Sequence, residues 1–242
     1  MVLDELYLQS GNDIPFGIAR VTIHQPSIKE IGFIGEEAFH IGSQFLAFDK
    51  NRLEIKDKSE LESKSDFEIF MSVMNSIDRA KHKTDAVMIL ALLFPEYKIK
   101  IEKDKILLQL ENFSSSINEQ NYNDFKSIII QIFCLNRFNA GSEFNPEDDL
   151  AAKIAEKMRK GREKRAKAGA PQKIAIFSKY ISILSVGLKK DKNDLLNYTV
   201  PQLIDEFERF MLKQDFDLYI KAKLAGAKDV EEVKNWMDEL HP

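Results

Sequence analysis

The stretch from Thr199 to Glu239 constrains the fold of this chain more than any other. Val200, Leu203, Ile204, Phe207, Phe210 and Met211 recur at helical spacing and lay an apolar stripe along one face. Thr199, with Gln202 three residues on, is a capping-box signature: the threonine oxygen and the glutamine side chain satisfy each other's free amides. The stripe runs on through Phe216, Tyr219, Ile220 and Leu224 and stops at Ala225-Gly226, where glycine suits a left-handed C-cap. Asp229 and Glu232 open a second predicted helix, with Val230, Val233, Trp236, Met237 and Leu240 inward. The pair reads as a helical hairpin in which Trp236 packs on Phe207, Phe210 or Tyr219.

The whole chain sets the bounds. At 242 residues it is long enough to bury a sizeable core, and 44% hydrophobic with 31% charged residues is an ordinary balance for a soluble globular protein. The longest apolar run, Ala86–Phe94, ends at Pro95 and is too short to span a bilayer, which needs about 18 residues. Met1–Glu5 is acidic and lacks a basic n-region, so no secretory signal and a cytosolic setting are expected. The single cysteine, Cys134, lies beside the apolar run Ile128–Phe133 and reads as a buried, inert thiol.

In chain order, Leu6–Gln9 and Ile18–Ile23 are short β-rich runs that predict a small hairpin. Ser27 with Glu30 caps a short turn, and Gly35 begins a helix through Phe39, Phe45, Leu46 and Phe48. Asp49–Ser65 reads as a polar loop. Asp66 is expected to cap a helix carrying Phe67, Ile69, Phe70, Val73 and Met74, and another helix runs from about Thr84 to Leu93. Tyr97–Glu102 and Lys105–Leu110 alternate around Lys103-Asp104 and give the clearest hairpin. Tyr122–Phe138 reads as one strongly apolar helix.

Asn139, Gly141, Ser142, Asn145 and Pro146 are clustered breakers, and beyond them the charge changes sign. Residues 1–145 hold 16 Lys+Arg against 22 Asp+Glu, net −6; residues 146–242 hold 19 against 17, net +2. Most of the difference comes from a predicted helix carrying Lys153, Lys157, Arg159, Lys160, Arg162, Lys164, Arg165 and Lys167, which stops at Gly169-Ala170-Pro171. The expected architecture is mainly α (α+β): a helical N-terminal domain with two small hairpins over 1–145, a basic linker helix over 146–170, and a small helical module over 171–242. Little of the linker helix is apolar, so a solvated connector is the simplest reading. A surface for an acidic partner is the sharper one, with Arg159, Arg162 and Arg165 as candidate contacts. No aromatics interleave the basic run, so stacking on single-stranded nucleic acid has no support.

Catalysis has little to work with. His24, His40, His82 and His241 lack the spacing of a metal site, and no paired cysteine or glycine-rich phosphate loop is present. His24 beside Gln25-Pro26 reads as a turn residue, and Glu36-Glu37 as helix-start charges. No enzyme activity and no cofactor are expected. The candidate partner-binding set is apolar and aromatic: Phe207, Phe210, Phe216, Tyr219 and Trp236, because a module of this size covers its aromatics incompletely.

Two blocks carry a resemblance. Asp217–Lys228 followed by Val233-Lys234-Asn235-Trp236-Met237 resembles the C-terminal end of the tail assembly chaperones of siphovirus-type tailed phages of Gram-positive bacteria. Leu6-Tyr7-Leu8, Asp13-Ile14-Pro15-Phe16, His24–Gly32 and Gly35-Glu36-Glu37 are similar to that family's opening. The resemblance implies a non-catalytic chaperone, acting in the bacterial host cytoplasm. It would bind and solubilise the tape-measure protein, recruit tail-tube subunits, and be absent from the finished particle. Self-association is a further expectation; membrane or nucleic-acid partners are not expected. The rivals are a tail adaptor retained in the virion and a nucleic-acid-binding regulator that uses the basic helix.

Overall fold

Side chains at the helix ends decide where most elements begin. The computed structural model describes residues 2–50, 63–75, 80–139, 176–227, 233 and 235–237. Its first helix, α1 (Glu5–Ser10), starts after Asp4, whose carboxylate accepts from the Tyr7 amide, and ends at Gly11 in the left-handed region (φ 68). This corrects the strand expected at Leu6–Gln9. A capped turn satisfies its own terminal amides and lets Leu3, Tyr7 and Leu8 reach the core together, leaving Leu6 exposed. The N-terminal hairpin is present but shifted: β1 (Ile14–Phe16) pairs antiparallel with β2 (Val21–Ile23), Ile14 opposite Ile23. Its four apolar side chains are buried while Pro15 and Thr22 face outward, the two-residue period of a half-buried strand.

Ser27 and Glu30 form the capping box read from the sequence at α2 (Ile28–Ile34). The Ser27 amide and hydroxyl both donate to Glu30 Oε2 at 2.7 Å. Gly35, at φ 86, then turns the chain into α3 (Glu36–Leu46). At α4 (Asp66–Asn75) the cap is Ser65, not Asp66: the Ser65 amide donates to Glu68 Oε2 at 2.8 Å and the Glu68 amide to Ser65 Oγ at 3.2 Å. Asp66, one position inside the helix, pairs instead with Lys126 at 2.5 Å. The next helix, α5 (Ala80–Leu93), crosses α3 at Gly42, where a Cβ would lie 2.6 Å from the Asp85 carbonyl oxygen. Glycine is what lets these two backbones touch.

The central sheet has three antiparallel strands in the order β3 (Lys98–Ile101), β4 (Ile106–Gln109), β5 (Ser114–Ile117). The β3–β4 hairpin follows the sequence reading. The third strand does not, because Ser114-Ser115-Ser116 has no apolar alternation and only Ile117 of β5 is buried. The helix expected to run unbroken to Phe138 is two, α6 (Tyr122–Ile132) and α7 (Leu135–Asn139), with Cys134 between them at φ 49. Ile132, Phe133, Cys134 and Leu135 are all buried. Four consecutive residues cannot share one face of a straight helix, so the chain turns there.

The predicted boundary beyond Asn139 and the basic helix at 146–170, with Arg159, Arg162 and Arg165, lie outside the described residues. After them come α8 (Ile176–Leu188), α9 (Lys192–Leu196, capped by Asp191) and α10 (Val200–Leu224). Phe177, Ile181, Leu184, Leu195, Val200, Leu203 and Ile204 belong to the same buried cluster as Phe39, Phe70, Phe125 and Ile129, so the described flanks of that boundary share one core. Polar ties reinforce it. The Ile28 amide donates to the Tyr198 carbonyl at 2.8 Å, and Gln202 Nε2 donates to the Gln9 carbonyl at 2.7 Å. The protein is mainly helical with two small antiparallel sheets, as its sequence predicts.

Candidate interaction surface

The helix α10 divides into a docked half and an overhanging half. Gln202 Oε1 accepts from the Thr199 amide at 2.9 Å, the glutamine arm of the predicted box, and fixes the start. Val200, Pro201, Leu203 and Ile204 are then buried. Phe207 stacks on Tyr180 of α8 with ring centroids 3.7 Å apart and planes 8° from parallel. Phe210 packs against the core over Gly187, where any added Cβ would collide with its ring. Among the described residues, Phe210 is the last of α10 that packs against the core.

From Met211 to Leu224 the helix continues for about 21 Å at 1.5 Å per residue. Its apolar residues emerge into solvent: Met211 is 40% exposed, Leu218 62% and Leu224 83%. Phe216 and Tyr219, half-buried, form a tilted ring pair at 6.4 Å. Met211 and Leu218 continue the line of Leu203, Ile204 and Phe207, since the spacing of three, four and seven residues returns to one face. The core-forming stripe thus outruns the core. The helix ends as the sequence predicts, with Gly226 at φ 87 just past the last turn.

The chain then comes back toward the base of the overhang. Arg209 Nη1 donates to the Trp236 carbonyl at 2.8 Å. Trp236 is half-buried, so its expected place in the core is corrected: the polar tie is to its backbone. The second helix read over 229–240 is also corrected where residues are described, because Val233 and Asn235–Met237 are turn or irregular backbone. Asn235 Oδ1 accepts from the Met237 amide at 3.0 Å, a local bond that competes with helix.

The candidate residues therefore part company. Phe207 and Phe210 seal the edge of the core, Phe216 and Tyr219 stand on the overhang, and Trp236 sits at its base. Sequence reasoning placed Met211, Ile220 and Leu224 on the buried face. The signal for their exposure was length: a helix of 25 residues has more stripe than a short module can cover.

Other chemistry-bearing groups are structurally engaged. His24 bridges the β1 approach and α2, with Nδ1 2.8 Å from Asp13 Oδ1 and Nε2 3.3 Å from Glu30 Oε1. Buried His40 stacks on Phe177 at 5.7 Å, and burial pushes its pKa down despite the Glu36 charge. Cys134 is buried and its thiol pKa is pushed up to about 12, chiefly by desolvation. Among the described residues no group of three or more His, Cys, Asp or Glu is placed to hold a metal ion. No described helix is long and apolar enough to cross a membrane. An open cleft of about 750 Å³ lies between α4 and the β3–β4 turn, lined by Phe67, Met71, Asn75, Lys103, Asn118 and Gln120 among others; none of the described residues that line it is a histidine or cysteine.

Residues 167–241 match the family described as the YomV second domain, a phage-associated family name. That span holds α8, α9, all of α10 and the returning chain, under a third of the protein. No curated protein and no solved structure matches the chain.

Proposed function

We propose that the protein is a tail assembly chaperone of a siphovirus-type phage, which covers apolar helical segments of the tape-measure protein and presents them to tail-tube subunits. The observation that carries this reading is the overhang: a core-forming stripe that continues beyond Phe210 through the exposed Met211, Leu218 and Leu224. Exposed apolar side chains in a row mark interaction sites. A helix whose apolar face is open receives another amphipathic helix by pairing the two stripes. A tape measure is long and helix-rich, and such a chain aggregates unless its stripes are covered until the tube replaces the cover.

Several features support the reading. The match over 167–241 is to a phage-associated family and contains the whole overhang. The blocks that resemble tail assembly chaperones include Asp217–Lys228, whose first eight residues close α10, and Val233–Met237, whose Trp236 carbonyl is tied to Arg209. Reversible cover needs no catalyst, cofactor or nucleic acid, and such a chaperone works in the host cytoplasm. The test is co-expression with the tape-measure protein, followed by mass spectrometry of purified particles. The reading expects soluble tape measure in the presence of this chain, insoluble tape measure without it, and no copy of this chain in virions. Copies retained in virions would favour a structural adaptor instead.

A further inference from the structure

We infer that, with no client bound, a second copy of this chain covers the overhang, the two Met211–Leu224 segments lying antiparallel with their crossing near Tyr219. The inference goes beyond the chaperone reading, and only its condition that no client is bound rests on that reading. It rests on the order of charges along the exposed segment. Asp215 and Asp217 precede the middle of the overhang, and Lys221 and Lys223 follow it.

At 100° per residue, Met211, Leu218, Ala222 and Ala225 share the exposed continuation of the core stripe. Asp215 borders that stripe with Lys223 further round on the same shoulder, and Lys221 borders it with Asp217 further round on the other. A two-fold antiparallel pairing sets each shoulder against the same shoulder of the second copy, run backwards. Residues equidistant from Tyr219 then meet: Asp215 faces Lys223 of the second copy, and Asp217 faces its Lys221. Leu218 packs beside its own counterpart, and the small Ala222 and Ala225 let the helices approach. A chain laid the same way round places acid beside acid and base beside base. Opposite charges across such a seam select register and orientation. Asp217 already holds Lys213 at 2.6 Å and Lys223 lies over the Tyr219 ring at 5.6 Å, so both shoulders are ordered before pairing.

Analytical ultracentrifugation of the full chain with charge-reversed variants tests this. The wild type is expected to sediment as a dimer. Asp215→Lys with Asp217→Lys makes all four shoulder positions basic, and Lys221→Asp with Lys223→Asp makes all four acidic. Each variant alone is expected to lose the dimer, and an equimolar mixture is expected to restore it as a heterodimer. The restored species shows that the monomeric variants are folded. A monomeric wild type would overturn the inference and leave the overhang to a different occupant. Variants that stay dimeric alone would also overturn it, because the interface would lie elsewhere.

Discussion

The Glu36 carboxylate caps a helix that begins about 140 residues later in the chain: its Oε1 accepts from the Ser178 amide at 2.8 Å and from the Ser178 hydroxyl at 2.7 Å. Its Oε2 accepts from the Phe177 amide at 3.2 Å. The first turn of α3 thus supplies an anion to the free amides of α8, where the helix dipole favours it. Phe177, fully buried against Phe39 and His40, is held beside the cap. Local caps such as Ser27–Glu30 end one helix; this one docks two.

Removing that cap has a definite cost. Glu36→Ala is expected to destabilise the protein by about 0.5–2 kcal/mol, the range for losing a side-chain cap. The urea midpoint reads it, and an unchanged midpoint would show that water serves the α8 amides equally well.

The close crossing of α3 and α5 gives a second expectation. Gly42→Ala drives a Cβ into the Asp85 backbone, which a rotamer change cannot relieve. Overpacking of this kind costs about 1–3 kcal/mol, more than the gain of roughly 1 kcal/mol in helix propensity. Thermal unfolding should show a lower Tm; a higher one would mean that the helices separate freely.

Glu30 makes stability depend on pH. Desolvation raises its pKa, but hydrogen bonds from Ser27 and the charge of His24 outweigh that and hold it below the ordinary 4.5. A depressed carboxylate stabilises the fold above its unfolded value, and that contribution is lost as pH falls through the folded value. The stability difference between wild type and Glu30→Gln should therefore be present at pH 6 and shrink on acidification below about 4.5. A difference that stays constant down to pH 3 would place the contribution in shape and not in charge.

Cys134 should be inert. Burial holds its thiol protonated at neutral pH, with a pKa pushed up to about 12. Thiol-reactive reagent at pH 7.5 should label the unfolded chain and not the native one. Rapid native labelling would show that the α6–α7 turn opens.

Where the sequence proved readable, the deciding interactions were local. Ser27 with Glu30, Gln202 on Thr199, Gly35, the glycine after Leu224 and the Lys98–Gln109 hairpin are all set within a few residues. Most of the misreadings have non-local causes, although the first involves a local cap as well. A strand pattern at Leu6–Gln9 yields to the Asp4 cap and to docking beside α10. The helix break at Cys134 follows from burying four residues in succession. The Glu36–Ser178 cap joins positions with no sequence relation. The overhang combines both kinds: its stripe was legible, and its exposure depends on where α8 stops covering it.

The central claim is that the overhang is the client-binding surface, and one solubility measurement addresses it most directly. Leu218→Glu with Leu224→Glu places two charges on side chains that are 62% and 83% exposed, so the fold should survive. Phe33→Glu, at a side chain 82% exposed on α2, serves as the control. Each is co-expressed with the tape-measure protein, and the soluble tape-measure fraction is quantified. The account predicts that the wild type and Phe33→Glu keep the tape measure soluble, and that the overhang variant, itself soluble, does not. Full solubility with the overhang variant would contradict it.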